Sequence, residues 1–246
     1  MDWTPGYREW APPVALSAGV VCLWSSVQAE AGTTLVLPDA CTDLIWQQGK
    51  GAFVAGPDTG PAPAPAPAGT VLAGIRFRPG AGGGILGIPL RELLDQRVDT
   101  AAFSAGLDRR LPGSLSPGAA MQALIAVTAQ ALAAAPPDDL VLHAARMLRQ
   151  PRARAQDVTA ELAVSERQLR RRFDAAVGFG PKTLSRVLRF QRFLAGLDAA
   201  ARAGAAADLA GLAADSGYAD QAHLTRESVA LAGLPPAALA RTRSAR

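Results

Sequence analysis

The chain has 246 residues, of which 49% are apolar, which is enough for two ordinary domains with a sizeable core and argues against wholesale disorder. The sequence has no run of about 18 apolar residues, so it predicts no membrane span. The first ten residues lack the basic start and apolar stretch of a signal peptide, so we expect a soluble, cytoplasmic protein. Two cysteines are too few for a disulfide scaffold or a cysteine-based zinc site.

The net charge of +4 is unevenly distributed along the chain. Residues 1–137 hold 8 Lys/Arg and 10 Asp/Glu, a net of −2, whereas residues 138–246 hold 17 and 11, a net of +6. Within residues 149–192 there are 11 basic and 4 acidic side chains. Such a compact basic patch favours a polyanionic partner, although charge alone leaves a solvated basic face as the alternative.

The first hundred residues have the pattern of β structure followed by a helix. Runs rich in Val, Leu, Ile and Trp, punctuated by Gly and Pro, predict strands at 14–27, 33–37, 43–47, 53–55 and 71–77. The alternating Pro and Ala within residues 57–69 cannot pair in a central strand, so this segment predicts an extended, polyproline-like loop. Residues 88–94 have helical spacing.

After a Pro/Gly/Ser break at residues 111–118 the pattern turns helical. An apolar stripe from Met121 to Leu132 predicts a connecting helix that packs either within its own chain or against its copy in a homodimer. Pro136 and Pro137 end this helix. Further helices are predicted at 138–149, 156–163, 165–177, 181–200, 208–216, 220–231 and 235–241.

Two stretches of the C-terminal half share the design of a helix-turn-helix. In residues 155–178, a short helix and a tight turn lead to Ser165, which fits a capping box with Gln168. The helix that follows has an apolar face at positions 169, 173 and 177. Its opposite face is basic and exposes three arginines, Arg167, Arg170 and Arg171. Guanidinium groups on an exposed helix suit the guanine edges of a major groove.

The second stretch covers residues 208–233. Gly217 allows the turn, Asp220 can cap the following helix, and Leu224 faces inward. The outward positions carry residue types that read base edges, Gln221, Thr225 and Arg226.

These two units, joined by one long helix, resemble the AraC family of bacterial transcription regulators. The resemblance is carried by LAVSERQLRRRF followed by GFGPKTLSRVLRFQR, and by LAADSGYADQAHLTRE followed by GLPPAAL. It implies that double-stranded operator DNA is the partner, with the two recognition helices in successive major grooves, and that RNA polymerase is a further partner to consider. By position, it assigns the base-facing roles to Arg167, Arg170, Arg171, Gln221, Ala222, Thr225 and Arg226. The family usually has a large apolar residue where Ser228 stands, which predicts weaker anchoring of the second unit.

The N-terminal half resembles an uncharacterised domain that is often found before AraC-type DNA-binding domains, through LPDACTDLIW, FVAGPD and GIRFRPGA. By analogy it is a small, barrel-like sensor. The expected fold class is therefore α+β. A β-rich, barrel-like domain over 1–115 and a connecting helix over 116–137 are followed by an all-α DNA-binding domain over 138–246, which has two helix-turn-helix units joined by a long helix.

An effector pocket is one interpretation of the polar residues in the β-rich half. Alternate residues of an extended segment share a face, so the pocket would be lined by Asp39, Cys41, Asp43, Trp24, Trp46 and Arg76, and would take a small polar or cationic ligand. The alternative places Asp39 in a turn after Pro38 and both tryptophans in the core. Cys22 and Cys41 form a redox pair if their strands are neighbours, and are otherwise small buried side chains.

An enzyme is the alternative from another class. A cupin-like metal enzyme needs histidine ligands, and the two histidines of the sequence, His143 and His223, lie outside the β-rich half. Without histidine, residues 1–137 can form neither a Ser-His-Asp nor a Cys-His grouping. The glycine cluster of residues 80–84 lacks the Lys-Ser/Thr ending of a phosphate loop. We therefore expect no catalytic residues, metal or cofactor, and the rival to a sensor is a ligand-free dimerisation or protein-interaction module.

Overall fold

The structure is a computed structural model that describes residues 3–151 and 153–244. Its N-terminal half is built on an open, antiparallel six-stranded sheet and a separate two-stranded ribbon. The strands are β1 Gly6–Trp10, β2 Val20–Val27, β3 Gly32–Val36, β4 Thr42–Gln47, β5 Gly51–Ala55, β6 Ala62–Ala66, β7 Val71–Phe77 and β8 Arg97–Asp99. The sheet order is β1-β2-β7-β4-β5-β8, and the ribbon is β3-β6. The expectation of a β-rich half is confirmed, but the sheet does not close into a barrel.

Helices make up most of the rest of the described chain, and those from residue 117 onward follow the predicted order. They are α1 Gly82–Leu86, α2 Ala105–Arg110, α3 Pro117–Ala134, α4 Asp139–Leu148, α5 Ala155–Glu161, α6 Glu166–Ala176, α7 Pro181–Arg202, α8 Leu209–Ser216, α9 Gln221–Ala232 and α10 Pro236–Ser244. Short 3-10 helices occur at Val14–Leu16, Leu90–Leu93 and Thr100–Ala102. The α+β fold class is confirmed, including two helix-turn-helix pairs, α5–α6 and α8–α9, joined by the long α7.

The Pro/Ala segment departs from the prediction, because part of it is a strand rather than a loop. β6 pairs antiparallel with β3, so that Pro63 lies opposite Leu35 and Pro65 lies opposite Thr33. Proline has no N–H to donate, so it is tolerated in a strand only where the backbone nitrogen points away from the partner. Prolines at every second position meet this condition together, and the alanines between them supply the paired amides.

The six-stranded sheet buries one face against the connecting helix. Trp46 and Phe77 are fully buried there, and the stripe of α3 packs onto them through Met121 and Leu124. Met121, Leu124 and Thr128 of the stripe are therefore covered within their own chain. α3 is long and apolar enough to cross a membrane, but core helices of soluble proteins meet the same criterion. Five residues of α3 are buried in this packing.

The core of the helical half extends into the N-terminal half. It is built on α7 and on apolar residues of all the surrounding helices, and it also includes Ala40, which is 2% exposed. Leu37 and Leu94 pack against the same cluster. Gly178 follows α6 with a φ of +91°, and a Cβ there would lie 3.1 Å from the carbonyl oxygen of Leu90. The two halves are thus in close contact around the end of α6.

Candidate nucleic-acid interface and sensor cluster

The first helix-turn-helix unit has the capping geometry that its sequence predicts. The Ser165 hydroxyl accepts from the Gln168 amide at 3.2 Å, and the Gln168 side chain accepts from the Ser165 amide at 3.0 Å. This capping box fixes where α6 begins. Leu169 and Phe173 are buried at 1% and 0% exposure, so the opposite face of α6 is left to solvent.

The second unit is held by caps at three of its helix ends. Asp208 accepts from two amides at the start of α8, Gly217 ends α8 with a φ of +88°, and the Asp220 carboxylate accepts from the His223 amide at 2.6 Å. Leu224 is fully buried, as predicted. The His223 ring lies edge-on to Tyr218, with centroids 5.2 Å apart, so this histidine has a packing role.

Ion pairs and hydrogen bonds fix both units to their neighbours. Arg186 of α7 pairs with Glu227 of α9 at 2.9 Å, and Arg172 of α6 pairs with Asp138 at the start of α4 at 2.7 Å. Near the middle of α7, Arg192 donates to two carbonyls, one at the end of α4 (2.8 Å) and one at the end of α8 (3.0 Å). The second helix of each unit is therefore held in a defined orientation.

All seven residues that the resemblance assigns to base contacts lie on solvent-exposed positions of α6 and α9. They are Arg167, Arg170, Arg171, Gln221, Ala222, Thr225 and Arg226. Three of the four arginines of α6, those at positions 167, 170 and 171, line one groove of about 570 Å³. Arg91, from the N-terminal half, lines the same groove and is 55% exposed. Arg91 could not be predicted from the sequence, because its proximity to α6 depends on how the two halves pack.

A second constellation lies on the other face of the sheet, around Arg76. The register places Arg76 between Cys22 of β2 and Asp43 of β4. Its guanidinium lies 3.2 Å from Asp43, 3.5 Å from Asp39 and 3.3 Å from Glu9. One positive group is thus surrounded by three carboxylates, and we call these four residues the acidic cluster.

Aromatic rings cover one side of the acidic cluster. The Trp24 indole N–H donates to Asp43 at 2.8 Å, and its ring stands 5.8 Å from that of Tyr7. The indole lies across Gly74, where a Cβ would come within 2.3 Å of the ring. Only glycine leaves room for the ring in this position, so Gly74 sets the place of the hydrogen bond to Asp43.

Burial dominates the electrostatics of the cluster. It raises the pKa of Asp43 to about 6, against the lowering effect of Arg76. Burial also raises the pKa of the Cys22 thiol to about 11 and the pKa of Cys41 well above its usual value. Both cysteines are free, and thiols with raised pKa values are poor nucleophiles, which does not favour a redox pair.

The structure brings together five of the six predicted pocket residues and excludes the sixth. Trp46 is fully buried on the α3 side of the sheet, where its indole donates to the Pro112 carbonyl. Trp46 and Asp43 are three residues apart on β4, so their side chains lie on opposite faces of the sheet. Asp39 accepts from the Cys41 backbone amide in a tight turn, as the alternative interpretation expected, and its carboxylate also faces Arg76.

Sequence reasoning missed two members of this constellation, Tyr7 and Glu9. Both lie on β1, which was not predicted as a strand because GYREW is short and largely polar. The alternation of Tyr7 and Glu9 was the available signal, since residues two apart on a strand share a face. Among the residues that the structure describes, no group of three or more His, Cys, Asp and Glu side chains could hold a metal ion.

Two family models match parts of the chain. Residues 8–99 match a domain of unknown function, DUF6597, and residues 158–242 match a model described as a helix-turn-helix domain. The second match starts within α5 and ends within α10, so it covers both second helices. No curated protein sequence matches the chain.

Solved structures of ToxT from Vibrio cholerae are similar over most of both chains. For ToxT from strain O395 the TM-score is 0.48 at 8% identity, over 91% of this chain and 97% of that one. For an apo variant from strain SCE256 it is 0.47 at 9% identity, over 89% and 96%.

Proposed function

We propose that this chain, a DNA-binding transcription regulator with an AraC-type helix-turn-helix domain, is controlled by a small cationic effector that binds in its N-terminal half. The DNA contacts are assigned to the exposed residues of α6 and α9. Arg167, Arg170 and Arg171 supply guanidinium groups for guanine edges in the first unit. Gln221, Thr225 and Arg226 supply the contacts of the second, with Ala222 leaving room for a thymine methyl.

The spacing of the two units supports this assignment. They are joined by α7, whose 22 residues give a length of roughly 33 Å at the rise of an α-helix. One turn of B-DNA measures about 34 Å, so two units joined by a helix of this length suit successive major grooves. The ion pair of Arg186 with Glu227 and the hydrogen bonds of Arg192 fix the second unit to α7 before DNA binds.

The observation that carries effector control is the charge of the acidic cluster. Three carboxylates surround one guanidinium, and the rings of Trp24 and Tyr7 lie beside them. An excess of negative charge beside aromatic faces favours a cation. Glu9 and Asp39 are 47% and 33% exposed, so a ligand can reach the rim of the cluster from solvent.

A loop gives such a ligand a direct route to the DNA-binding half. Residues 38–41 alternate in their contacts, with Asp39 facing Arg76 and Ala40 buried in the helical core. The carbonyl of Pro38 accepts a hydrogen bond from Gln191 of α7. A ligand that moves Asp39 therefore acts on the loop that touches α7.

The test combines an effector assay with a DNA-binding assay on the intact chain. Choline and other small amines are screened by thermal shift, because a ligand of the folded state raises the melting temperature. The operator is selected from random DNA and measured by mobility shift with and without the amine that binds. We expect Asp39→Asn to weaken amine binding and to leave operator affinity unchanged. Failure of every amine rejects the sensor, and failure to select any operator rejects sequence-specific DNA binding.

A second candidate role for the N-terminal half is dimerisation, and the β3–β6 ribbon favours it. Leu35 and Val36 of β3 are 43% and 37% exposed, and as neighbours on a strand they place one apolar side chain on each face of the ribbon. A partner copy packed on one face would cover Leu35. Sedimentation of the intact chain and of Leu35→Glu distinguishes the roles, since a dimer through this ribbon dissociates in the variant and a monomeric wild type excludes it.

A further inference from the structure

A loop between β5 and β6 lies against the ends of both α6 and α9. At its start Pro57 is buried, and a Cβ placed on Gly178, just after α6, would lie 2.7 Å from its Cγ. At its end, a Cβ placed on Gly233, just after α9, would lie 3.8 Å from the Cγ of Pro61. We call residues 56–61 the brace. Its first three residues belong to the sequence FVAGPD, which neither the DNA contacts nor the acidic cluster uses.

We infer that the brace sets the separation of α6 and α9, and so determines which spacing between the two contacted sequences the protein accepts in DNA. We call these two sequences the subsites. The residues of the brace, and those that hold it, act in this role as positioning residues. The inference rests on the proposed DNA binding through both units and does not involve the effector.

The middle of the brace is held by Asp95, which follows the 3-10 helix Leu90–Leu93. The Asp95 carboxylate accepts from the Thr59 amide at 2.6 Å and from the Thr59 hydroxyl at 2.7 Å. In return, the Asp95 amide donates to the Pro57 carbonyl at 3.1 Å. Asp95 has a φ of +55°, a conformation that Asp and Asn adopt more readily than most other side chains. One short polar residue in this conformation therefore bonds the brace through both its side chain and its backbone.

Two further contacts fix the first half of the brace. Arg97 of β8 forms a bidentate ion pair with Asp58, at 2.9 and 2.7 Å, and Asp58 is only 8% exposed. The Gly56 amide donates to the Gln96 carbonyl at 2.9 Å. A Cβ on Gly56 would overlap the carbonyl oxygen of Leu93, so glycine alone permits this close approach. A loop with these bonds resists bending, and its two ends keep a fixed separation.

The consequence for DNA follows from the geometry of the duplex. One extra base pair between the subsites moves the second subsite by about 3.4 Å and rotates it by about 35°. α6 and α9 can follow this change only if their ends move relative to each other, and these ends contact opposite ends of one braced loop. Arg186 and Arg192 already fix the second unit to α7. The brace supplies a connection between the two units that does not run through α7.

The experiment uses the intact chain and its selected operator. Mobility shifts measure affinity for the operator, for operators with one base pair inserted or deleted between the subsites, and for operators with one base pair substituted within a subsite. We expect the spacer changes to weaken wild-type binding at least tenfold. Asp95→Gly allows the same φ but lacks the carboxylate, so it should reduce this loss at least threefold and leave the loss on base substitutions unchanged. Asp95→Asn keeps an oxygen that can accept from Thr59 and should retain the wild-type spacing preference.

A second variant tests the contact itself rather than the hydrogen bonds. Pro61→Ala removes the ring that lies against the end of α9 and leaves the bonds of Asp95 in place. It should also reduce the loss on spacer changes at least threefold. Asp108→Asn removes an exposed carboxylate from α2, away from the brace, and serves as the control. Melting curves of each variant show that it is folded.

Three results would overturn the inference. They are a wild type that tolerates the spacer changes, an unchanged spacing preference in both Asp95→Gly and Pro61→Ala, and a relaxation that extends equally to base substitutions. The last of these would indicate a general loss of structure rather than of spacing. Each of the three leaves sequence-specific DNA binding in place, whereas failure to select any operator rejects that function and the inference together.

Discussion

The side-chain amide of Gln191, in the middle of α7, donates a hydrogen bond of 2.6 Å to the backbone carbonyl of Pro38 in the N-terminal half. These two residues are 153 positions apart in the chain. The bond ties the helix between the two DNA-binding units to the loop that also holds Asp39. Beside it, Ala40 enters the helical core with a φ of +64°, a conformation that this packing must maintain.

Removal of this bond should weaken the contact between the two halves. We expect Gln191→Ala to lower the free energy of unfolding by about 0.5–1.5 kcal/mol, the usual net contribution of one hydrogen bond. Urea denaturation measures the change. Gln150→Ala, at an exposed position just after α4, serves as the control and should change stability by less than about 0.5 kcal/mol. Equal effects of the two variants would contradict a specific role for Gln191.

The arginines of α6 should separate into two groups. Arg167→Ala, Arg170→Ala and Arg171→Ala are each expected to weaken operator binding by about 1–3 kcal/mol per lost bidentate contact, with little effect on random DNA. Arg172→Ala is the comparison on the same helix: its side chain pairs with Asp138 and helps to orient α6, so its loss should weaken operator and random DNA alike without changing specificity. Mobility shifts on both DNAs test this. If Arg172→Ala lost specificity and the other three did not, the base-facing side would be assigned wrongly.

Arg91 should contribute affinity without specificity. It shares the groove of the α6 arginines but belongs to the N-terminal half, which suits a contact to a phosphate. We expect Arg91→Gln to weaken operator and random DNA equally and to reduce the slope of log affinity against log salt by about 1. Arg109→Gln is the control for the lost charge. An unchanged slope in Arg91→Gln would mean that Arg91 does not contact DNA.

Substitution by alanine should affect stability differently at two serines. Ser165→Ala removes the N-cap of α6 and should lower the free energy of unfolding by about 0.5–2 kcal/mol. Ser228 is fully buried, and its hydroxyl has no hydrogen-bond partner among the described residues. Ser228→Ala should therefore leave stability unchanged or raise it by about 1 kcal/mol. Denaturation curves decide both, and a loss in Ser228→Ala above 1 kcal/mol would reveal a missed partner.

The buried carboxyl of Asp43 should make stability depend on pH. Its pKa of about 6 in the folded chain exceeds the unfolded value of 3.8, so the folded state holds the proton more tightly. The contribution of this group therefore falls as the pH rises from about 4 to about 6. Between pH 5 and 7 the loss is about 1 kcal/mol for the wild type relative to Asp43→Asn, measured by urea denaturation. Parallel pH profiles of the two proteins would refute the raised pKa.

The helical half could be predicted closely because its signals are local. Ser165, Asp208 and Asp220 are caps whose side chains bond to amides two or three residues away, so the sequence itself marks where each helix begins. The predicted bounds of α6 and α9 agree with the structure to within one residue. The burial of Leu169 and Leu224 follows from the same spacing.

The N-terminal half was harder to predict because its short elements depend on distant partners. α1 consists of GGGIL, which has poor helix propensity and forms against α3 and α6. The three-residue β8 exists only through its pairing with β5. The predicted helix at 88–94 is a 3-10 helix, Leu90–Leu93. The prediction that Trp46 lines the pocket was wrong because it rested on residue type and ignored which face of the strand this position occupies.

The prolines of β6 also affect how the protein behaves at high concentration. A two-stranded ribbon has two open edges, and each edge is a template on which a strand from another molecule can pair. Pro63 and Pro65 take the outward positions of β6, so that edge offers carbonyl oxygens without the amide hydrogens that strand addition needs. The repeat thereby protects one side of an exposed, apolar ribbon against aggregation, and growth into fibrils would have to start from β3.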